Sequence, residues 1–157
     1  MRIGHGYDVH RMVAGRRCVL CGVEIPYDLG PEAHSDGDIP LHALMDAILG
    51  AAGRGDIGRM FPDTDSRWKG ADSTKLLREV CLAVGDRYRV GNCDITIIAQ
   101  RPKIGPYVGE MRRRVASVLG VPEDAVNVKA TTEEGLGFTG RLEGIAAHAV
   151  VLLEEKD

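Results

Sequence analysis

The sequence predicts an α/β (α+β) sandwich, in which a four- to five-stranded mixed sheet carries helices on one face. Four or five runs typical of strands alternate along the chain with three amphipathic segments typical of helices. Two strand-like runs, "DITIIAQ" and "AHAVVLLEE", are apolar on both faces, which indicates that both faces of the sheet are buried. A chain of 157 residues has too few helices to cover both faces. We therefore expect a homo-oligomer to bury the second face.

The N-terminal third is predicted to hold two strands and one helix. The strands are expected at residues 1–10 and 16–25. The helix is expected at residues 38–53, where leucine, isoleucine and methionine recur at helical spacing. Asp38 can cap its start, Pro40 lies in its first turn, and Gly50 and Gly53 suit its end.

The middle of the chain begins with a polar loop at residues 54–72, which is longer than most loops in compact domains. Loops of this length are often functional. A second helix is predicted at residues 72–87, with Asp72 or Ser73 as its cap. A strand follows at residues 91–100, and Pro102 ends it.

The C-terminal third is predicted to hold a helix, a strand, a loop and a last strand. The helix spans residues 107–120 and ends in a glycine, and the strand spans residues 124–132. A Gly-rich loop at residues 133–144 leads into the last strand at residues 145–155. There is neither a repeat nor a linker, so we expect a single domain over residues 1–157.

Composition argues against two classes of partner. The formal net charge is −3, aromatic residues make up 4%, and the basic run Arg112–Arg114 is typical of the solvated part of a helix. Nucleic acid is therefore not expected as a partner. No apolar run is long enough to cross a membrane, and the N-terminus lacks the apolar core of a signal peptide. We expect a cytoplasmic protein, or the mature form of an organelle protein.

The four cysteines do not form a zinc knuckle in the sequence. Cys18 and Cys21 have C-x2-C spacing, but Cys81 and Cys93 do not supply the second pair that such a site needs. The favoured interpretation is that they are small buried hydrophobic residues.

Asp8 and His10 are the first candidate metal ligands. They are two residues apart, so on a strand both side chains lie on the same face. His42, near the start of the first helix, can complete a site of one carboxylate and two imidazoles. Such a set suits Zn²⁺ or a similar ion and leaves a coordination position open. The alternative is that Asp8 and His10 form a surface pair.

Asp46 follows His42 by four residues, so the two lie on the same side of a helix. Asp46 could accept a hydrogen bond from the second ring nitrogen of His42 and fix its tautomer. The alternative is a simple exposed pair on the helix surface.

Two loops carry groups that suit a phosphorylated substrate. The aspartates of "GDIGRMFPDTD" can bind sugar hydroxyls or a hard cation, or can simply stabilise turns. In "KATTEEGLGFTGR", hydroxyls and glycine amides can hold phosphate, Glu134 can bind a cation such as Mg²⁺, and Arg141 can pair with a phosphate. The sequence has no motif for a covalent nucleophile. Metal-assisted chemistry with a nucleophile on the substrate is therefore favoured.

Five motifs together resemble one enzyme family. They are "RIGHGYDVHR", "AHSDGDIPLHALMDAILGAAGRGDIGRMFPDTD", "KGADS", "DITIIAQRPK" and "VNVKATTEEGLGFTGRLEGIAAHAV". In order and over nearly the whole chain, they are similar to the 2-C-methyl-D-erythritol 2,4-cyclodiphosphate synthases of the non-mevalonate isoprenoid pathway. These enzymes are phosphorus–oxygen lyases.

The resemblance implies an assembly and a reaction. It implies a homotrimer with active sites between adjacent subunits, whose contacts bury the second sheet face. The implied substrate is 4-diphosphocytidyl-2-C-methyl-D-erythritol 2-phosphate. Its 2-phosphate attacks the β-phosphorus, CMP leaves and the cyclic diphosphate forms. An isoprenoid diphosphate can also lie on the trimer axis, with Arg141 as its anchor.

The resemblance also implies roles for single residues. Asp8, His10 and His42 correspond to the ligands of one zinc or other divalent metal per site. Glu134 corresponds to the ligand of one Mg²⁺ or Mn²⁺. His34 and Thr132 correspond to catalytic residues that align the phosphates and stabilise the transition state.

The implied substrate contacts extend along the chain. His34 and Ser35 would contact the methylerythritol phosphate, Asp56, Ile57 and Gly58 would meet the sugar end, and Phe61, Pro62, Asp63, Thr64 and Asp65 would close over the methylerythritol. The cytidine pocket would be formed by Ala99, Gln100, Arg101, Pro102, Lys103, Ile104 and Gly105. The other implied contacts are Asp8, Val9, His10, Thr131, Thr132, Glu133, Glu134, Phe138 and Arg141.

Glu133 departs from the family pattern, which usually has threonine at this position. Its charge must either point away from the phosphates or help to hold the cation. Two other functions stay open at this point. One is a metal-dependent phosphohydrolase that releases free phosphate, and the other is a non-catalytic binder of isoprenoid diphosphates.

Overall fold

A five-stranded mixed sheet with helices on one face forms the centre of the protein. In this computed structural model, which describes residues 1–156, the strand order is β4-β1-β7-β5-β6. Only β5 and β6 are parallel, and the other neighbours are antiparallel. The predicted sandwich architecture is confirmed. The strands are β1 (Arg2–Ala14), β4 (Leu29–Pro31), β5 (Tyr88–Ile98), β6 (Val126–Thr131) and β7 (Gly144–Glu155).

The prediction of one continuous strand at residues 16–25 was wrong. The segment is a hairpin of β2 (Cys18–Leu20) and β3 (Val23–Ile25), which make a separate two-stranded sheet. The chain reverses at Cys21 and Gly22, both of which have positive φ. Cys18, Cys21 and Cys93 are buried, as expected, whereas Cys81 is only partly buried, and no disulfide joins cysteines within residues 1–156.

Three long helices cover one face of the sheet, close to their predicted positions. They are α1 (Ile39–Ala52), α3 (Ser73–Val84) and α4 (Val108–Leu119). Asp38 and Asp72 cap the first two, and Gly53 and Gly120 end α1 and α4 in the left-handed conformation. Gly50, the other predicted end of α1, lies inside the helix. No helix in the described part of the chain is long and apolar enough to cross a membrane.

Short helices interrupt the two loops that were predicted to be irregular. The polar loop contains α2 (Ile57–Met60) and a 3-10 turn at Ser66–Trp68, and the Gly-rich loop contains α5 (Gly137–Gly140). Two further 3-10 turns, Gly105–Tyr107 and Glu123–Ala125, flank α4.

The helix α1 lies directly against β1 because β1 carries two glycines at the contact. A Cβ atom on Gly4 would lie 1.9 Å from the carbonyl oxygen of Ala47. Any larger residue would force the helix away from the strand. The close approach places the first turn of α1 beside the end of β1.

The face of the sheet opposite the helices is uncovered in the single chain. It exposes Ile3 (74%), Tyr7 (44%) and Val9 (41%) of β1. The same face is more polar than the sequence prediction of two apolar faces, because Asp94 of β5 and Lys129 of β6 form an ion pair there. It is therefore a mixed surface with an apolar portion.

Candidate metal centre and active site

Strand alternation and the α1 contact together bring three candidate ligands to one point. Asp8 and His10 share the face of β1 that packs on α1, and His42 lies in the first turn of α1. Asp8 Oδ2 lies 3.1 Å from His10 Nε2 and 3.2 Å from His42 Nδ1. Ligand atoms of the three side chains all lie within 4.8 Å of one another.

His10 presents a buried nitrogen to this point. Its Nδ1 lies 2.9 Å from the carbonyl oxygen of Glu32, and only an N–H group can donate there. The other nitrogen, Nε2, is buried and has no hydrogen-bond partner within residues 1–156, because Asp8 approaches it outside hydrogen-bond geometry. An orphaned buried nitrogen is expected where a ligand atom faces a metal position.

The pKa of Asp8 depends on both histidines, and the pKa of His10 depends on Asp8. Burial raises the pKa of Asp8, but the imidazoles of His10 and His42 outweigh it, so the pKa lies below its usual value of 3.8. The nearby Asp8 raises the pKa of His10 above 6.5, against the effect of burial. The carboxylate is thus ionised and attracts a cation. One carboxylate, two imidazoles and an orphaned nitrogen fit a divalent metal with an open coordination position.

The proposed bond from Asp46 to His42 was wrong, and so was the alternative of an exposed pair on the helix. Asp46 Oδ1 instead accepts a hydrogen bond from the Ile57 backbone N–H at 2.8 Å, which fixes the start of α2. The second nitrogen of His42, Nε2, faces the hydroxyls of Ser35 at 3.2 Å and Ser73 at 3.1 Å. The contact with Ser73 joins residues 31 positions apart, so no local spacing predicted it.

A cavity of about 430 Å³ opens beside the three ligands. Nine of the predicted site residues line it: Asp8, His10, His34, Ser35, His42, Ile57, Gly58, Phe61 and Asp63. Five further residues line it that the sequence did not single out: Glu32, Ala33, Met45, Trp68 and Leu76. Phe61 packs edge-on against Trp68, with ring centroids 5.0 Å apart, so aromatic rings form part of the wall.

The remaining residues of the polar loop lie outside the lining of this cavity. Asp56 caps α2 through a bond from Arg59 N–H at 3.0 Å, and Asp65 caps the following 3-10 turn and pairs with Arg67. For these two carboxylates the structure shows the turn contacts that were the alternative interpretation. Two other predicted contacts, Pro62 and Thr64, lie between them.

A second cavity of about 440 Å³ lies at the ends of β5 and β6. All seven residues predicted to bind cytidine line it, Ala99 to Gly105, together with Thr131 and Thr132. Pro106 and Ala130 also line it, and the sequence did not single them out. The predicted nucleotide segment and the predicted phosphate residues therefore share one depression.

The Gly-rich loop separates the two neighbouring glutamates. Glu133 accepts a short hydrogen bond from the hydroxyl of Thr139, which is 1% exposed, so its carboxylate is directed into the loop. Glu134 has φ of +54°, a conformation that is strained for a residue with a side chain and is common at functional sites. Gln100 ties the loop to β5 by accepting from Gly135 N–H at 3.1 Å.

Arg141, Phe138 and Val9 lie away from both cavities. Arg141 Nε donates to Glu143 Oε1 at 2.9 Å on the same loop, and Phe138 is half-buried beside Gly144. Val9 is exposed on the open face of β1, opposite to the face that carries Asp8 and His10.

The two cavities lie at the same end of the sheet but on different strands. Asp8 of β1 pairs with Ala147, which pairs with Ile97, which pairs with Ala130 of β6. This row spans three strand spacings, or about 14 Å. A single chain therefore holds its candidate metal ligands and the predicted phosphate residue Thr132 in two separate half-sites.

Comparisons with known proteins place this site in context. The model of the YgbB family matches residues 1–154. A 2-C-methyl-D-erythritol 2,4-cyclodiphosphate synthase from Geotalea uraniireducens (strain Rf4) is 60% identical over 157 residues, which are 99% of this chain and 100% of that protein.

Solved structures agree with the sequence comparison. The bifunctional IspDF from Campylobacter jejuni matches with a TM-score of 0.95 and 44% identity, over 99% of this chain and 42% of that longer one. A 2C-methyl-D-erythritol-2,4-cyclodiphosphate synthase in a CDP-bound form matches with a TM-score of 0.89 and 42% identity, over 98% of this chain and 100% of that one.

Proposed function

The chain belongs to the YgbB family, and from that premise we propose that it makes 2-C-methyl-D-erythritol 2,4-cyclodiphosphate. The substrate is 4-diphosphocytidyl-2-C-methyl-D-erythritol 2-phosphate, and the second product is CMP. Relatives that match over the full chain are named for this synthase activity. The observation that carries the proposal is the Asp8, His10 and His42 triad beside a cavity, on a chain that matches these relatives from end to end.

The reaction is an intramolecular phosphoryl transfer. An oxygen of the 2-phosphate forms a bond to the β-phosphorus. The bond from that phosphorus to the bridging oxygen breaks, and CMP leaves with the electron pair. No side-chain nucleophile is needed, since the substrate supplies its own. The protein contributes position and charge stabilisation, as in other phosphoryl transfers.

Asp8, His10 and His42 would hold zinc, and Glu134 would bind Mg²⁺ or Mn²⁺. When bound, these ions supply positive charge that offsets the negative charge of the phosphates. Burial of His42 (8% exposed) and the bond from His10 to Glu32 hold the imidazoles in place before substrate arrives.

His34 and Thr132 are the proposed phosphate-aligning residues. His34 lines the metal cavity with Ser35, whose hydroxyl can donate to a phosphate oxygen. Thr132 lines the second cavity, and its Oγ1 accepts from Glu134 N–H at 3.2 Å. This contact couples the threonine to the residue that would hold the second cation.

The second cavity is the proposed cytidine site. The segment from Ala99 to Gly105 lines it, and in this proposal backbone N–H and C=O groups of the segment bind the pyrimidine edge. Polar backbone groups in a concave, partly apolar site are typical of small-molecule recognition. A matching structure of a relative is titled as a CDP-bound form, in agreement with a nucleotide site in this fold.

The active form is a homotrimer in this proposal, with the metal half-site of one subunit beside the cytidine half-site of the next. Two observations support it. The half-sites of one chain are about 14 Å apart, further than a diphosphate can bridge. The open sheet face also exposes Ile3, Tyr7, Val9 and Val150. An isoprenoid diphosphate on the trimer axis, held by Arg141, and a cytoplasmic location complete the proposal.

The experiment that tests the reaction is phosphorus-31 NMR of the product mixture with and without chelator. The synthase predicts a cyclic diphosphate and CMP, and loss of both when the metal is removed. Inorganic phosphate as the main product would indicate a phosphohydrolase. Binding of an isoprenoid diphosphate without any turnover would indicate a non-catalytic binder.

A mixing experiment tests the shared site. Asp8→Asn removes a metal ligand and Thr132→Val removes the hydroxyl of the other half-site, so each variant alone should be inactive. When the two are unfolded and refolded together, mixed trimers should contain some intact sites, and activity should return. Absence of any recovery in mixtures that assemble normally would contradict a site shared between subunits.

A further inference from the structure

The second ring nitrogen of His42 has a defined environment that the reaction itself does not explain. His42 Nδ1 faces Asp8, and Nε2 faces the hydroxyl of Ser73 at 3.1 Å. Ser73 is 0% exposed, so this contact is shielded from water.

The hydroxyl proton of Ser73 is committed to Asp36. Ser73 Oγ lies 2.5 Å from Asp36 Oδ1, a separation at which two oxygens need a proton between them. Because the carboxylate accepts that proton, Ser73 has none left for His42. Towards His42 it can only accept, through its remaining lone pairs.

The tautomer of His42 follows from this constraint. Nε2 must carry a proton and donate it to Ser73 Oγ. Once a cation replaces any proton that Nδ1 shares with Asp8, the lone pair of Nδ1 is directed at the proposed metal position. An imidazole with the opposite tautomer would place a lone pair against the oxygen of Ser73 and an N–H group at the metal. That arrangement cannot bind a cation.

Asp36 is itself fixed in place. Its Oδ2 accepts from the backbone N–H of Ser73 at 2.9 Å, and its Oδ1 also accepts from Asp38 N–H at 3.1 Å. Its own N–H donates to the carbonyl oxygen of Ala71 at 3.0 Å. The carboxylate therefore joins the loop before α1 to the start of α3.

We propose that Asp36 and Ser73 are positioning residues that fix the tautomer and orientation of the metal ligand His42. The relay runs from the Asp36 carboxylate through the Ser73 hydroxyl to His42 Nε2. It rests on the proposed metal site and adds two residues that do not touch the metal. A carboxylate behind an imidazole ligand also increases the electron density on the ligating nitrogen.

The relay also frees the hydroxyl of Ser35. Ser35 Oγ accepts from Gly37 N–H at 3.2 Å, and its distance to His42 Nε2 is 3.2 Å. Because Nε2 carries a proton, Ser35 has no acceptor there, and its own proton stays available to a substrate phosphate.

Metal titration of the purified full-length protein tests the proposal without using activity. Co²⁺ is the probe, since its visible absorption reports ligand number and geometry, and competition with a chelator gives the dissociation constant. Ser73→Ala should raise the dissociation constant about 10- to 100-fold, the usual effect of losing a partner of a metal ligand. Ser73→Thr keeps the hydroxyl and should restore most of the affinity.

The matched control is Thr74→Ala. It also removes a hydroxyl that donates to a carboxylate at the start of α3, Asp72 Oδ1, but it does not touch His42. Its Co²⁺ affinity should equal that of the wild type. Asp36→Asn should also weaken Co²⁺ binding, although Asp36 reaches His42 only through the hydroxyl of Ser73.

Nitrogen-15 NMR of the metal-free protein reads the tautomer directly. The wild type should show a protonated Nε2 on His42, whether or not Nδ1 also holds a proton towards Asp8, and Ser73→Ala should lose the Nε2 proton in a fraction of the molecules. Unchanged Co²⁺ affinity and an unchanged tautomer in Ser73→Ala would overturn the relay. If the wild type itself bound no Co²⁺, the proposed metal site would be wrong, which is a distinct result.

Discussion

A Cβ atom built on Gly6 would lie 1.9 Å from the carbonyl oxygen of Ala43, so β1 and α1 are in direct backbone contact. On β1, Gly6 lies two residues before Asp8, and on α1, Ala43 lies one residue after His42. It sets the separation between Asp8 on the strand and His42 on the helix. The glycine therefore acts on the site through packing alone.

Gly6→Ala should destabilise the fold by at least about 3 kcal/mol, because the new methyl group overlaps the helix backbone. It should also weaken metal binding, since α1 must move away from Asp8. Urea unfolding and Co²⁺ titration measure the two effects. Gly50→Ala on the same helix is the control, since a Cβ there meets no described atom within 4 Å. It should stabilise the fold by about 0.7 kcal/mol.

Asp38→Ala should lower the free energy of unfolding by about 3 kcal/mol, because three backbone N–H groups lose their acceptor. The buried carboxylate accepts from Cys21 N–H at 2.8 Å, from Gly22 N–H at 2.6 Å and from Leu41 N–H at 3.2 Å. Asp72→Ala removes the exposed cap of α3 and should lose only about 1 kcal/mol. Equal losses in the two variants would show that the hairpin contacts of Asp38 contribute little.

Metal affinity should fall as the pH is lowered, beginning above pH 6.5. Asp8 raises the pKa of His10 above its usual 6.5. A proton on His10 therefore competes with the metal at pH values at which an ordinary imidazole is already neutral. Calorimetric titration with Zn²⁺ in buffers of different ionisation enthalpy counts the protons released. An affinity that stays constant between about pH 6 and 8 would contradict this assignment.

The metal-free protein should show a different pH dependence. A raised pKa means that the contribution of His10 to stability is complete below pH 6.5 and is lost as the pH rises through the folded value. Burial raises the pKa of Asp38 to about 7, so its contribution is lost in the same direction. Urea unfolding in chelator should therefore show decreasing stability as the pH rises. His10→Asn should show a smaller decrease, because the contributions of the carboxyl groups with raised pKa values, Asp38 and Asp46, remain.

Glu133→Thr should leave the turnover number within about threefold of the wild type, because the carboxylate is bonded to Thr139 rather than directed at the phosphates. Stability should fall by about 1 kcal/mol through loss of that bond. Steady-state kinetics with varied Mg²⁺ provides the measurement, and Glu134→Gln is the comparison that should lose its Mg²⁺ response. A large rise in the Mg²⁺ requirement of Glu133→Thr would assign the cation to Glu133 instead.

Val150→Arg should prevent assembly without unfolding the chain. Val150 is 39% exposed on the open sheet face, and Asp94 lies beside it on β5 and can pair with the new cation. Sedimentation should show a smaller species with wild-type circular dichroism and little activity. Leu82→Arg places the same charge on α3 at a residue 72% exposed, and it should assemble normally.

The sequence predicted the features that depend on near neighbours in the chain. The caps of α1 and α3 and the final glycines were identified because Asp38, Asp72, Gly53 and Gly120 act within one helical turn. The spacing of Asp8 and His10 on a strand predicted their shared face for the same reason. The segment from Ala99 to Gly105 was identified from the family resemblance rather than from a local rule.

The features that the sequence did not predict depend on distant partners or on hidden turns. The reversal at Cys21 and Gly22 was missed because cysteine rarely adopts the positive φ that it has there. Asp46 was assigned to His42 by helical spacing, but the N–H of Ile57 competes for the carboxylate. The proposed roles of Asp36 and Ser73 depend on contact between the loop before α1 and the start of α3. The two residues are far apart in the sequence, so no local spacing rule predicts this contact.

Alternation along β1 also limits how this protein can change in length. The even-numbered residues from Gly4 to His10, which include the candidate ligands Asp8 and His10, face α1. Ile3, Tyr7 and Val9 lie on the open face. Inserting or deleting one residue within this stretch would exchange the two sets. A carboxylate and an imidazole would then face the open surface, and tyrosine and valine would press on the helix. We expect β1 to tolerate substitutions at its open-face positions but no insertions or deletions, and a library of single-residue insertions selected for growth would measure this.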